Sequence, residues 1–226
     1  MARPRYPRSS GPLPPPLPPE TRTVGQLVAE TIKLYGAHFW RALPLGLGIA
    51  VADQLQARSA VLASAVLLTA AYVGASLIVT GARPGARAIA TAFAGGVLAY
   101  LPFALSYLVL GFALLGVAWL AFVGLVVPVA IAERGGLLAS FRRAFRLARA
   151  DYVHALGSLA TLAILLFLVR LVLVVLLHGL GDSGARAAIF LGDLVVSPLV
   201  FLGATLLYVD QVARLNASSE ALPSAP

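Results

Sequence analysis

From Val97 to Ala132 the chain runs for 36 residues without a charged side chain. As a single helix that stretch measures about 54 Å at the α-helical rise. The hydrocarbon of a bilayer is about 30 Å thick, so the stretch is too long for one crossing and rather short for two. Either way it requires lipid around it. Charged residues make up only 12% of the 226, and hydrophobic ones 60%, where soluble domains carry about 25% charged. Mean hydropathy is +0.91. A soluble enzyme, a disordered protein and a fibrous repeat are excluded, and a helical membrane protein remains. With no Cys there is neither a disulfide nor a thiolate metal site.

Apolar segments at Phe39–Ala57, Ala60–Gly81, Val97–Leu114, Gly116–Ala132, Tyr152–Leu177 and Ala188–Val209 read as six spans. Charge decides whether the middle stretch crosses once or twice. With a cytoplasmic N-terminus and six spans, fourteen of the 17 cations fall on the cytoplasmic side. Arg58 and Arg186 fall outside, and Arg170 lies within a span. A single middle crossing would place the Arg134–Arg149 cluster outside, against the positive-inside rule. Two crossings are therefore expected, with the break between Gly111 and Gly116 and both termini cytoplasmic.

Three polar stretches carry apolar residues at helical spacing. They are Val24 to Tyr35 behind Thr23 as N-cap, Ala86 to Phe93, and Leu137 to Ala148 after Gly135-Gly136. The expected fold is all-α, a polytopic bundle of about six spans in three hairpins, each preceded by a cytoplasmic amphipathic surface helix. A weak echo at an offset of 113 sets Leu34, Ala37, Ala42 and Leu43 on Leu147, Ala150, Ala155 and Leu156. Residues 1–22 form a disordered arm, with eight prolines in its first nineteen residues. Residues 23–214 form the membrane domain, and 215–226 a disordered tail.

No catalytic constellation, cofactor loop or metal set is visible. His38, His154 and His178 are far apart, and neither a Walker loop nor a nucleophile elbow occurs. Arg142, Arg143, Arg146 and Arg149 are the candidates for lipid headgroups. Arg142, Arg146 and Arg149 repeat at i, i+4, i+7, opposite Phe141, Ala144, Phe145 and Ala148. Such a helix lies in the headgroup plane with its apolar face down and its cations on anionic lipid. It also fixes topology. Because the excess cations are sorted by membrane side, nucleic acid is not the partner.

Arg170 and Asp193 are the charges deepest in hydrocarbon, where each costs about 2.5–3.5 kcal/mol on insertion scales. Counted from Asp182 they stand at nearly equal depth on two antiparallel helices, which makes them candidates for an ion pair. The alternative has Arg170 snorkelling outward and Asp193 near the interface. Asp210 stands at the exit of span six and is a candidate for docking on one of the α-helical arginines of the basic cluster. Prolines 44, 102, 128 and 198 lie inside expected spans and predict kinks.

Thr23-Val24-Gly25 running to Leu34-Tyr35, His38-Phe39-Trp40-Arg41, Pro128, Glu133-Arg134-Gly135-Gly136, Ser140 to Leu147 and Leu207-Tyr208-Val209-Asp210 form a pattern. In these the chain resembles bacterial multi-pass proteins similar to the membrane domain of glycerophosphoryl diester phosphodiesterase. The resemblance implies six helices in a bacterial cytoplasmic membrane. The phosphodiesterase activity belongs to a separate barrel domain whose motifs this chain lacks, so it is not implied. The expectation is a non-catalytic membrane protein that organises lipid, a membrane-protein partner or a second copy. A small transporter or channel-like subunit is the alternative.

Overall fold

The computed structural model describes residues 18–55, 57–104, 112–177, 179 and 181–220. Most of the N-terminal arm, Gly111, His178 and the tail from 221 lie outside the described residues. Among the described residues there is no strand, and the fold is an all-α bundle. The helices are α1 (Val24–Ala37), α2 (Phe39–Ala42), α3 (Leu47–Ala52), α4 (Ala57–Thr80), α5 (Ala86–Ala104) and α6 (Phe112–Val123). They continue with α7 (Val126–Glu133), α8 (Leu137–Ala150), α9 (Tyr152–Leu177), α10 (Gly181–Val196) and α11 (Pro198–Glu220).

Five helical stretches are long and apolar enough to cross a membrane: Val61–Thr80, Ala86–Phe103, Leu114–Glu133, Tyr152–Leu177 and Ser183–Glu220. The sixth expected span, Phe39–Ala57, is corrected. Its helical part is only Phe39–Ala52, broken by a 3-10 turn over Leu43–Gly46 with Pro44 at its start. Proline removes a backbone donor there, so the helix cannot run through. Its two glycines let it press into the bundle instead. A Cβ on Gly46 would stand 2.0 Å from the Leu194 carbonyl oxygen, and one on Gly48 would stand 2.9 Å from the Ala71 Cβ.

The helix that precedes this segment, α1, is itself packed into the bundle. Thr23 caps this helix in a reciprocal box: the Gln26 N–H donates to Thr23 Oγ1 at 3.4 Å, and the Thr23 N–H donates to Gln26 Oε1 at 2.8 Å. Val24 lies against Gly157 and Thr31 beside Gly203. The Tyr35 hydroxyl donates to the Val195 carbonyl at 2.7 Å. Leu27 and Thr31 are fully buried. So α1 is packed along α9 and α11 and is no free surface helix. The second expected surface helix, Ala86–Phe93, is likewise no separate element, because α5 continues it unbroken to Ala104.

The remaining prolines act by position. Pro102 sits inside α5, whereas Pro128 falls in the first turn of α7, where a missing N–H leaves no bond broken. Pro198 opens α11 after Ser197 and so divides the expected sixth span in two. Helix α9, at 26 residues, is about 39 Å long, enough to cross about 30 Å of hydrocarbon. Helix α11 runs on to Glu220, through residues expected to belong to the tail. The core centres on Tyr72, which meets Tyr100 edge-on at 6.0 Å and Phe201 at 6.5 Å.

Because the atom facing Gly46 is backbone, nothing flexible can yield to a new methyl group. Gly46→Ala should cost about 1–3 kcal/mol, the range for overpacking. Gly36→Ala meets open space and should leave the melting temperature in detergent unchanged or slightly higher. Equal melting temperatures for the two variants would show that the first segment is not wedged against α10.

Candidate functional site

A cavity of about 810 Å³ lies inside the bundle. Its walls come from α4 (Leu68, Tyr72), α5 (Tyr100, Phe103), α6 (Val117, Leu120), α9 (Leu159, Ala163, Phe167) and α11 (Phe201, Ala204). These side chains are apolar because the helices that carry them are apolar all round, as membrane helices are. One end differs. There Asp53, Gln54, Arg170 and Arg186 join the lining.

Arg170 organises that end. Its Nε donates to Asp193 Oδ1 at 2.5 Å and its Nη2 to Asp193 Oδ2 at 2.7 Å, the forked geometry of a guanidinium on a carboxylate. Nη2 also donates to Asp53 Oδ2. Asp193 is fully buried and Arg170 is part-exposed. A buried carboxylate is tolerated only when paired and hydrogen-bonded, and both of its oxygens are engaged here. The structure thus brings Arg170 and Asp193 together, as the depth count expects. Asp53 is the member that the sequence reading missed. It closes the short apolar run of α3, and a carboxylate in that place was the available signal.

The opposite end of the bundle holds a second ionic group. Arg22 Nη1 donates to Asp210 Oδ1 at 2.6 Å, and Arg214 Nη1 to Asp151 Oδ2 at 2.6 Å. Arg214 Nη2 also donates to the Arg22 carbonyl at 2.6 Å. Gln211 Nε2 donates to the Asp151 carbonyl at 2.9 Å. His154 Nε2 lies 3.8 Å from Asp210 Oδ2. The expected docking of Asp210 on an arginine of the basic cluster is therefore corrected: its arginine is Arg22.

The reason lies in how α8 packs. Ser140, Ala144, Leu147 and Ala148 form its buried stripe, which faces the protein and not the headgroup plane. Arg142, Arg146 and Arg149 consequently project outward and are exposed. Arg143 is drawn aside by Glu133, with Nε 3.0 Å from Oε1. Leu138 and Phe145 remain exposed beside the three free-standing cations. Of the four headgroup candidates, three share an outward face.

Among the described residues no three His, Asp or Glu side chains stand close enough to hold a metal ion. Among the described residues, the cavity's polar lining consists of two tyrosines, two arginines, an aspartate and a glutamine. Those groups can orient a polar head and seat an apolar chain. No protein-family profile, curated protein or solved structure matches this chain.

Proposed function

We propose that the protein is an integral membrane protein that binds and organises lipid without catalysing a reaction. The observation that carries this reading is the apolar cavity with a charged end, held among helices of membrane-spanning length. Its volume falls within the roughly 300–1,000 Å³ of ordinary ligand sites, and its lining suits an aliphatic chain. The outward arginines of α8 add a second contact with lipid, on anionic headgroups at the bundle end where Arg22 meets Asp210. Each exposed arginine contributes about 1 kcal/mol of such attraction. Purification in a mild detergent followed by lipid extraction should recover at least one lipid per protein. A delipidated protein with unchanged melting temperature would sink the proposal.

Transport of an amphiphile is the second reading, favoured by the ion triad at the cavity's end. Uptake of a labelled amphiphile into proteoliposomes, with and without protein, separates the two. The resemblance to the phosphodiesterase membrane domains fits either reading, and with it a bacterial cytoplasmic membrane.

For topology we propose both termini on the cytoplasmic side. Arg22 of the first helix and Asp210 of the last share one end of the bundle, which is also the end that carries α8. Reporter fusions after Ala57, Leu114 and Asp182 should read outside, and one after Glu220 inside. An inside signal after Leu114 would remove the division of the middle stretch.

A further inference from the structure

Length, polarity and access of the cavity coincide. Along α9 its lining runs from Leu159 to Arg170. That distance is about 16 Å, close to half of a hydrocarbon layer about 30 Å thick, and so to one leaflet. At the polar end the backbone leaves the helix in the turn Asp53 to Leu55, with Gln54 exposed. Helix α4 begins at Ala57 directly after this turn, and its 24 residues measure about 36 Å, a full hydrocarbon thickness, so the turn marks an interfacial level. Arg170 stands at the same level, through its bond to Asp53. The cavity thus has a head zone at the interface and a tail zone one leaflet deep.

Its flank is open. Leu114 of α6 is 82% exposed, and Ile164 and Phe167 of α9 are 56% and 61% exposed, yet all three line the cavity. The entry lies between α6 and α9, framed by apolar side chains on the lipid-facing surface.

We propose that the cavity is a binding site for one zwitterionic phospholipid of the leaflet remote from α8. The inference rests on the lipid-binding reading above and names its ligand. One acyl chain enters between α6 and α9 and runs toward Tyr72 and Phe201, while the second stays in the bilayer along the open flank. The head takes the polar end, which offers both signs of charge. Its ammonium meets the Asp53 carboxylate, its phosphate the Arg186 guanidinium, and Gln54 donates to an ester carbonyl. A carboxylate has about four lone-pair sites and a guanidinium five donors, so each takes the head beside the partners it already has. A phosphatidylglycerol head offers Asp53 hydroxyl donors but no cation, and a free fatty acid leaves one sign of the rim unmatched.

The test is native mass spectrometry of the full-length protein in mild detergent, with phosphatidylethanolamine and phosphatidylglycerol supplied in equal amounts. The one-lipid adduct should favour phosphatidylethanolamine about tenfold, the ratio that one charge-assisted hydrogen bond provides. Gln54→Ala and Asp53→Asn should reduce that preference. Ala163→Phe, which narrows the cavity, should remove the adduct. A phosphatidylethanolamine with a photoreactive acyl chain should label Val117, Leu120 or Ala163 in the unmodified protein, a readout independent of any variant's folding. Equal adducts of both lipids would overturn the headgroup assignment and leave lipid binding intact. Labelling confined to the outer faces of other helices would overturn the cavity as the site. No adduct with either lipid would overturn both this inference and the lipid-binding reading.

Discussion

Arg170→Leu should be the most destabilising single change among the charges of this protein, at about 3–5 kcal/mol, the range for stripping one partner from a buried pair. The triad makes the expected losses unequal. Without Arg170, the fully buried Asp193 loses the group that engages both of its oxygens, and Asp53 faces it across the gap. Without Asp193, Arg170 still has Asp53. Asp193→Leu should therefore cost clearly less than Arg170→Leu, and the double variant should recover part of the larger loss. Melting in detergent across a pH series gives a second readout. A carboxylate that has lost its cation is more easily kept buried when protonated. Arg170→Leu should therefore gain stability relative to the unmodified protein as the pH falls. Equal losses for the two single variants, with no recovery in the double, would show that the guanidinium and the carboxylates do not act as one cluster.

How far the fold could be read from sequence depends on what each signal reports. Uncharged length reports the long helices well, because hydrocarbon tolerates little else. Tyr152–Leu177 has the same ends in sequence and structure. Periodicity reports that a helix has an apolar stripe, but not what covers it. Periodicity places the stripes of α1 and α8 at the membrane surface, whereas both face protein: Leu27 and Thr31 in α1, Ala144 and Leu147 in α8. Nothing local distinguishes the two cases, since a lipid chain and a neighbouring helix offer an apolar stripe the same chemistry.

The site was legible for a related reason. Arg170 and Asp193 could be matched because one hairpin fixes their relative depth by counting rise per residue. Asp53 lies 117 residues from Arg170, across a chain path that includes the 3-10 turn at Pro44 and the packing of Gly46 on α10. Depth counting fails across such breaks. The cavity was invisible altogether, because an empty volume is set by helices failing to touch, and no residue type announces it.

Asp210→Ala should produce the second large effect, again about 3–5 kcal/mol, because it strands Arg22 at a largely buried position. Asp210 is fully buried and the Arg22 side chain is 12% exposed. Unlike the triad, this pair joins the two ends of the described chain, 188 residues apart. The Arg22 carbonyl also receives Arg214, which in turn holds Asp151 ahead of α9. Removing Asp210 therefore loosens a particular segment, the 3-10 turn Pro19–Thr21 and the cap of α1, and should do so before the bundle melts. Trypsin should cut after Arg22 in Asp210→Ala much faster than in the unmodified protein, with α4 to α10 still protected. Glu133→Gln is the control. Its partner Arg143 is bound in a more exposed pair, so the loss should stay under about 1 kcal/mol and the cut after Arg22 should not quicken. If Asp210→Ala melts as the unmodified protein does and resists trypsin at Arg22, the N-terminal helix is held by packing alone and this end of the bundle has no ionic clasp.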